Sequence, residues 1–443
     1  MNNLLKAIAL KSSWFDVYNL RSEYGKARAN LLAASVIQAI VNGFTTGIFY
    51  SGLLVGYGIS LVNISIISFI PSIASFFTLL TPYVLQRFRK RRKVLTITRI
   101  AYYAINILGV TFLPMVVKNE AGRVIGIVTI MLVSNIITAL FGSGYSPWHM
   151  HYITPEIRNA YHSSTTMVST ICSSVLLVLV SLITDSMESD SQLMLISLLR
   201  IISFAIAMLD VYFLQKPAEP EYLASSDHLA LVDIFRLPLS NKKFMLTELI
   251  FALYCITGNI ATPVTNAWLL DDVKASYVLI NGMSLTYIPL ILLTTKLWNK
   301  VMKKHGTFRT LAFAFFAHIL VYLPYSFVNS NNYYWLYVIV RLTSQTFGLL
   351  ILFPVNNLIY VNLPEADQTN YISFHSVLSS ACTLISSMLG TAIVAAIGKQ
   401  TWNFLGYSMG SVPTLFLLKA ALWGILGIFI LIIRKKVEPD KIR

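Results

Sequence analysis

The chain has 443 residues, of which 56% are hydrophobic and only 12% charged, with a mean hydropathy of +0.67. A composition this apolar excludes an ordinary water-soluble domain, whose surface could not be kept polar enough to stay dispersed. The net charge of +15 is spread over loops rather than focused on one face, which excludes nucleic acid as a partner and points to the anionic headgroups of a lipid bilayer.

In chain order, the first 28 residues carry charges throughout and lack a clean apolar core ending at small residues, so they are not expected to form a cleavable signal. Within them, residues 12–28 set Trp14, Phe15, Tyr18 and Tyr24 among charges, the pattern of an amphipathic segment lying along the inner membrane surface. A helix that crosses a ~30 Å hydrocarbon layer needs ~20 apolar residues, since in lipid every backbone N–H and C=O must bond within its own segment. Twelve such stretches follow, at 29–55, 61–86, 94–117, 122–145, 162–185, 191–214, 242–270, 275–297, 310–328, 333–356, 371–397 and 412–434. The connection 215–241, with Pro217, Pro220 and Pro238, divides them six and six, and residues 435–443 form a tail. The predicted fold is an all-α polytopic membrane protein with twelve transmembrane helices in two pseudo-symmetric six-helix bundles, 29–214 and 242–434.

Basic residues are retained on the cytoplasmic side of a membrane. With an even number of spans, both termini and every even-to-odd loop share one side. That side collects all of the 34 Lys and Arg residues except Lys118, Arg123, Lys274 and Lys399 on the other side and Arg99, Arg200, Arg341 and Lys419 inside spans. Both termini are therefore expected in the cytoplasm, with a bacterial plasma membrane as the location. Cys172, Cys255 and Cys382 lie in spans without paired or metal-type spacing and read as small apolar fillers.

Internal repetition is visible in the loops. Pro155-Glu156 follows the fourth span and Pro364-Glu365 follows the tenth, 209 residues on, and each opens into a Ser/Thr-rich helix. The basic loop after the second span has its echo at 300–309, after the eighth. Six plus six spans, a cytoplasmic central loop and basic loops after spans two and eight resemble the major facilitator superfamily over essentially the whole chain. The run Trp148, Pro155, Arg158, Tyr161 resembles a pattern of poorly characterised bacterial members. The family's signature after the second span would fall on Pro82, Gln86, Arg87, Arg89, Lys90 and Arg91, where only the basic positions match. Its glycine and aspartate are absent, so the latch that the family assigns to the aspartate does not carry over.

The resemblance implies a central cavity lined by the first and fourth spans of each half. Independently, polar residues recur at helical spacing on those spans: Gln38, Asn42, Thr45 and Thr46; Ser134, Asn135 and Thr138; Asn259, Thr262 and Asn266; Arg341, Ser344 and Gln345. Gln38, Asn42, Asn135, Asn259, Asn266, Arg341 and Gln345 are the candidate substrate-binding residues, against the alternative that such groups glue helices together at ~0.6 kcal/mol each. Charges inside spans cost more, ~2.5–3.5 kcal/mol. Arg99, Asp210 and Lys419 lie near span ends, where snorkelling or capping is expected. Arg200 lies deeper, on a span expected to be peripheral.

Arg341 lies eight residues into the tenth span, where a permanently charged fork suits an anionic group. The alternatives are packing or an ion pair with Glu248 of the seventh span, which is offset in depth by ~9 Å. Glu248 and His375 are the candidate coupling or gating residues, because proton coupling needs an acid–base group in the pathway. His149, His151 and His162 are expected at the surface, and His318 to pack or snorkel. Pro71, Pro82, Pro263, Pro289 and Pro354 are candidate kinks.

No phosphate-cradling glycine loop, zinc-type His-Glu-His spacing or nucleophile elbow supports an enzyme. The expected function is secondary transport of a small organic solute, possibly an anion, by alternating access; export of amphipathic compounds, or a non-transporting receptor or lipid-handling role, are the alternatives. No cofactor or metal is expected beyond a coupling ion, H+ or Na+, and the chain is expected to act as a monomer on a small-molecule substrate.

Overall fold

The computed structural model describes residues 17–85, 87–88, 90–153, 155–219, 231–364 and 368–437. Trp14 and Phe15, Gln86 and Arg89, residues 220–230 of the linker, Glu365 of the second Pro-Glu loop and residues 438–443 of the tail lie outside the described residues.

Among the described residues, eleven helices are long and apolar enough to cross a membrane, from Glu23–Gly56 to Ser411–Val437. A shorter apolar helix, Tyr277–Ile291, falls where the eighth span is expected. Their outer faces are oily: Val116 is 79% exposed, Met194 and Leu293 76%, and Ile432 71%. In water each such side chain would forgo ~1.5–3 kcal/mol of burial, whereas in a bilayer lipid tails cover it. The chain is a multi-pass helical membrane protein.

Two compact units are built within residues 1–58 with 74–225 and within residues 59–73 with 226–443. The first has an aromatic core at one end, where Trp148 is fully buried against Leu31, Leu95, Tyr161 and Leu214 and stacks on Tyr145 with ring centroids 6.2 Å apart. The segment entering the first span packs here rather than floating on the surface: Val17 is buried, Tyr18 bonds Ser164 and Thr165, and Arg28 donates to the carbonyls of Val17 and Tyr152. At the same end Trp148 Nε1 and Tyr152 Oη donate to the Ala218 carbonyl. Glu219 accepts from the backbone N–H groups of Arg91 (2.5 Å) and Arg92 (3.1 Å), satisfying free donors at the start of helix Arg92–Tyr103.

In the second unit, helices Thr307–Tyr325 and Ser411–Val437 pack along their lengths, with Tyr325 stacked on Phe416 at 4.2 Å. Phe315 and Trp423 meet at 4.9 Å in its core. The loop expected at 398–411 holds a two-stranded hairpin, Trp402–Phe404 against Tyr407–Met409. Its turn residues Leu405 and Gly406 both have positive φ, as a tight hairpin turn of matching twist requires.

Several spans expected to be continuous are interrupted. The first breaks at Thr46, where Thr45 and Thr46 hydroxyls return to the Val41 and Asn42 carbonyls and Gly47 takes φ +61°. The third contains a π-helical turn, Ala104–Gly109. The seventh divides into Lys242–Asn259 and Thr262–Asp271, the latter with Pro263 in its first turn, where a missing N–H costs nothing. The eighth divides at Thr286, just before Pro289, into Tyr277–Leu285 and Tyr287–His305.

Candidate functional site

The four cations inside spans have different fates. Arg99 does not snorkel: its Nε lies 2.7 Å from Asp210 Oδ2, which also accepts from Tyr103 Oη at 2.7 Å. Asp210 is not a helix-end cap but this fully buried partner. Arg200, fully buried, donates Nη1 to the Thr45 carbonyl (2.8 Å), Nη2 to the Asn106 carbonyl (3.4 Å) and Nε to Thr111 Oγ1 (2.9 Å), with the Tyr50 ring 5.5 Å away. It thus serves two irregularities of its unit, the broken first span and the π-turn. Lys419 is 4% exposed and donates Nζ to the Gly258 carbonyl at 2.6 Å, with the Tyr322 ring 4.4 Å away. It too holds a broken helix rather than reaching for headgroups.

Arg341 is left. Among the described residues it is the one of the four without a hydrogen bond inside the protein, and its Nε is buried. Tyr325 and Tyr337 are its electrostatic neighbours. The ion pair with Glu248 is not formed, because Glu248 is taken: His375 Nδ1 lies 3.0 Å from both of its carboxylate oxygens. Glu248 is fully buried and the His375 ring lies 4.0 Å from that of Phe251. The two coupling candidates therefore form one pair, which neither spacing nor composition could reveal across 127 residues.

The polar stripes divide. Gln38 and Asn42 line a cavity of about 160 Å³ together with Thr98, Arg99, Thr138 and Tyr145. Gln38, Arg99 and Tyr145 also line an adjoining cavity of about 350 Å³, whose wall includes Asp210 and His149. Asn135 and Asn259 instead donate to the carbonyls of Met131 and Cys255 on their own helices. Gln345, 8% exposed, donates to the Met283 carbonyl and accepts from Thr286 Oγ1, both at 2.7 Å, so it fastens the break in the eighth span. Asn266 lies half-buried on Thr262–Asp271. Of the expected surface histidines, His149 departs: its Nε2 is buried without a partner. His318 packs, its Nδ1 on the Ala314 carbonyl and its ring 5.0 Å from Trp423. Tyr103, Tyr145 and His149 were missed because nothing in spacing separates a cavity-lining aromatic from a packing one.

No protein-family model and no curated protein matches the sequence. Solved structures do match. A variant of the nucleoside transporter NupG superposes with a TM-score of 0.67 at 14% identity, covering 92% of this chain and 99% of that one. A bacterial homologue of the iron transporter ferroportin in an inward-facing state gives 0.66 at 14% identity, covering 91% and 98%. A D-xylose-proton symporter gives 0.64 at 14% identity, covering 95% and 99%. The chain shares the fold of these solved transporter structures.

Proposed function

We propose that this chain is a secondary transporter that moves a small organic anion across a bacterial plasma membrane by alternating access, with both termini in the cytoplasm. The fold supports transport, since the structures it resembles include carriers of nucleoside, iron and xylose by their names. The observation that carries the anion is Arg341. Arg99, Arg200 and Lys419 are each bonded to a carboxylate or to backbone carbonyls, whereas this guanidinium keeps a buried Nε with no partner among the described residues. A fixed charge in lipid is costly, and a carboxylate or phosphate of the solute would supply the forked acceptor that it lacks. The coupling ion is the proton and its site is the Glu248–His375 pair, two groups that can share one proton and release it.

The test is counterflow in proteoliposomes across labelled small carboxylates and phosphate esters. At least one is expected to accumulate. Arg341→Ala should then lower its kcat/KM by ~10–100-fold, the value of a charge-assisted hydrogen bond, and Arg341→Lys should restore part of it. An anion carried equally well by wild type and Arg341→Ala removes Arg341 from the site.

A further inference from the structure

We infer that the first unit contains a binding site for hydroxyl groups, so that the solute carried is hydroxylated, of the class of sugar acids and sugar phosphates rather than plain apolar acids. The hydroxyl part stands on the first unit alone; only the word acid rests on the Arg341 reading.

The argument is a census of unspent polar atoms on one cavity wall. Arg99 spends Nε on Asp210 and its guanidinium lies 5.4 Å from the Tyr103 ring and 5.3 Å from the Tyr145 ring, while its two Nη groups make no hydrogen bond among the described residues. Asp210 accepts twice at Oδ2, while Oδ1 is buried without a partner although the side chain is only 1% exposed. Beside them the exposed carboxamide side chains of Gln38 and Asn42 make no hydrogen bond among the described residues, and each carries one donor group and one acceptor. His149 adds a buried, unpartnered Nε2 on the same wall as Asp210.

Each free donor is thus matched by a free acceptor nearby. An anion would gain Arg99 but meet Asp210, and an ammonium would gain Asp210 but meet Arg99. A hydroxyl both donates and accepts, and can satisfy such a wall at each point without bringing a charge. Leaving the buried Asp210 Oδ1 and His149 Nε2 unpaired costs ~1–3 kcal/mol apiece, which makes a wall of this kind selective against solutes that lack the hydroxyls. The two adjoining cavities, about 160 and 350 Å³, share Gln38, Arg99 and Tyr145, and the larger falls within the size range of small-molecule sites, ~300–1,000 Å³.

Three probes separate the contributions when their binding to the purified full-length protein is measured by calorimetry: gluconate, sorbitol and hexanoate. Sorbitol has hydroxyls alone, hexanoate a carboxylate alone, and gluconate both. Gluconate and sorbitol should bind measurably and hexanoate least. Gln38→Ala, at a side chain with no structural bond to lose, should weaken gluconate and sorbitol at least tenfold and leave hexanoate unchanged. Arg341→Ala should spare sorbitol. If sorbitol binding depends on Gln38 while Arg341→Ala affects nothing, the hydroxyl site stands and the anion reading falls. Hexanoate binding as tightly as gluconate, no binding of either hydroxylated probe, or affinities untouched by Gln38→Ala would each overturn the hydroxyl site.

Discussion

Lys419 illustrates why a charge survives where insertion costs ~2.5–3.5 kcal/mol. The seventh span stops at Asn259, and the carbonyls of its last turn lose their helical partners. Lys419 takes the Gly258 carbonyl and Ser386 Oγ takes that of Ile256, so the break is paid for by side chains from other helices. Replacing Lys419 with Met keeps the apolar stem but leaves the carbonyl only the long 3.4 Å bond from Thr262 Oγ1, at ~1–3 kcal/mol. Lys419→Met should lower the thermal unfolding midpoint in detergent, with Lys419→Arg closer to wild type; equal midpoints for Met and wild type would mean that the bond contributes nothing. The sequence placed this lysine inside a span correctly but could not name its partner. That partner is a backbone carbonyl 161 residues away, which no side-chain pattern marks. Arg99 and Asp210, expected to snorkel or cap separately, were hidden from each other in the same way by 111 residues.

Hydrophobic runs gave the helices their places, because a span needs only length and oiliness, and those are summed properties of ~20 residues. Breaks inside a span are decided by two or three residues and were not legible. Thr45 and Thr46 read equally well as cavity lining, and Pro263 and Pro289 proved to start new half-helices rather than to bend continuous ones. The seventh-span break also depends on close approach. A Cβ on Gly390 would overlap the Ile260 carbonyl oxygen, whereas one on Gly258 would meet nothing within 4 Å. Gly390→Ala should therefore cost ~1–3 kcal/mol through overpacking and reduce folded yield, while Gly258→Ala should be tolerated. Comparable melting curves for the two variants would show that the helices at this crossing separate freely.

At the scale of the whole chain, composition settled the solvent and hydrophobic runs the span count, whereas function rests on pairs that composition does not encode. Glu248 and His375 were each legible as titratable groups in spans; that they meet at 3.0 Å was not. Glu248→Gln keeps the shape and a hydrogen-bonding oxygen but has no carboxyl proton to release. Accumulation driven by a pH gradient should be lost in this variant while solute exchange without a gradient persists. Undiminished gradient-driven accumulation would move coupling elsewhere, and loss of exchange as well would make the pair structural.

Arg200 and Lys419 belong to the last spans of their respective units, and each grips a carbonyl where the first span of its own unit is interrupted. The residues differ, the flanking sequences differ, and the aromatic ring beside each cation comes from a different helix, Tyr50 of the first span in one unit and Tyr322 of the ninth in the other. What the two halves share here is a task rather than a letter. Relatives of this chain are then better sought by asking whether a buried cation in each half meets a severed helix than by matching residues one to one.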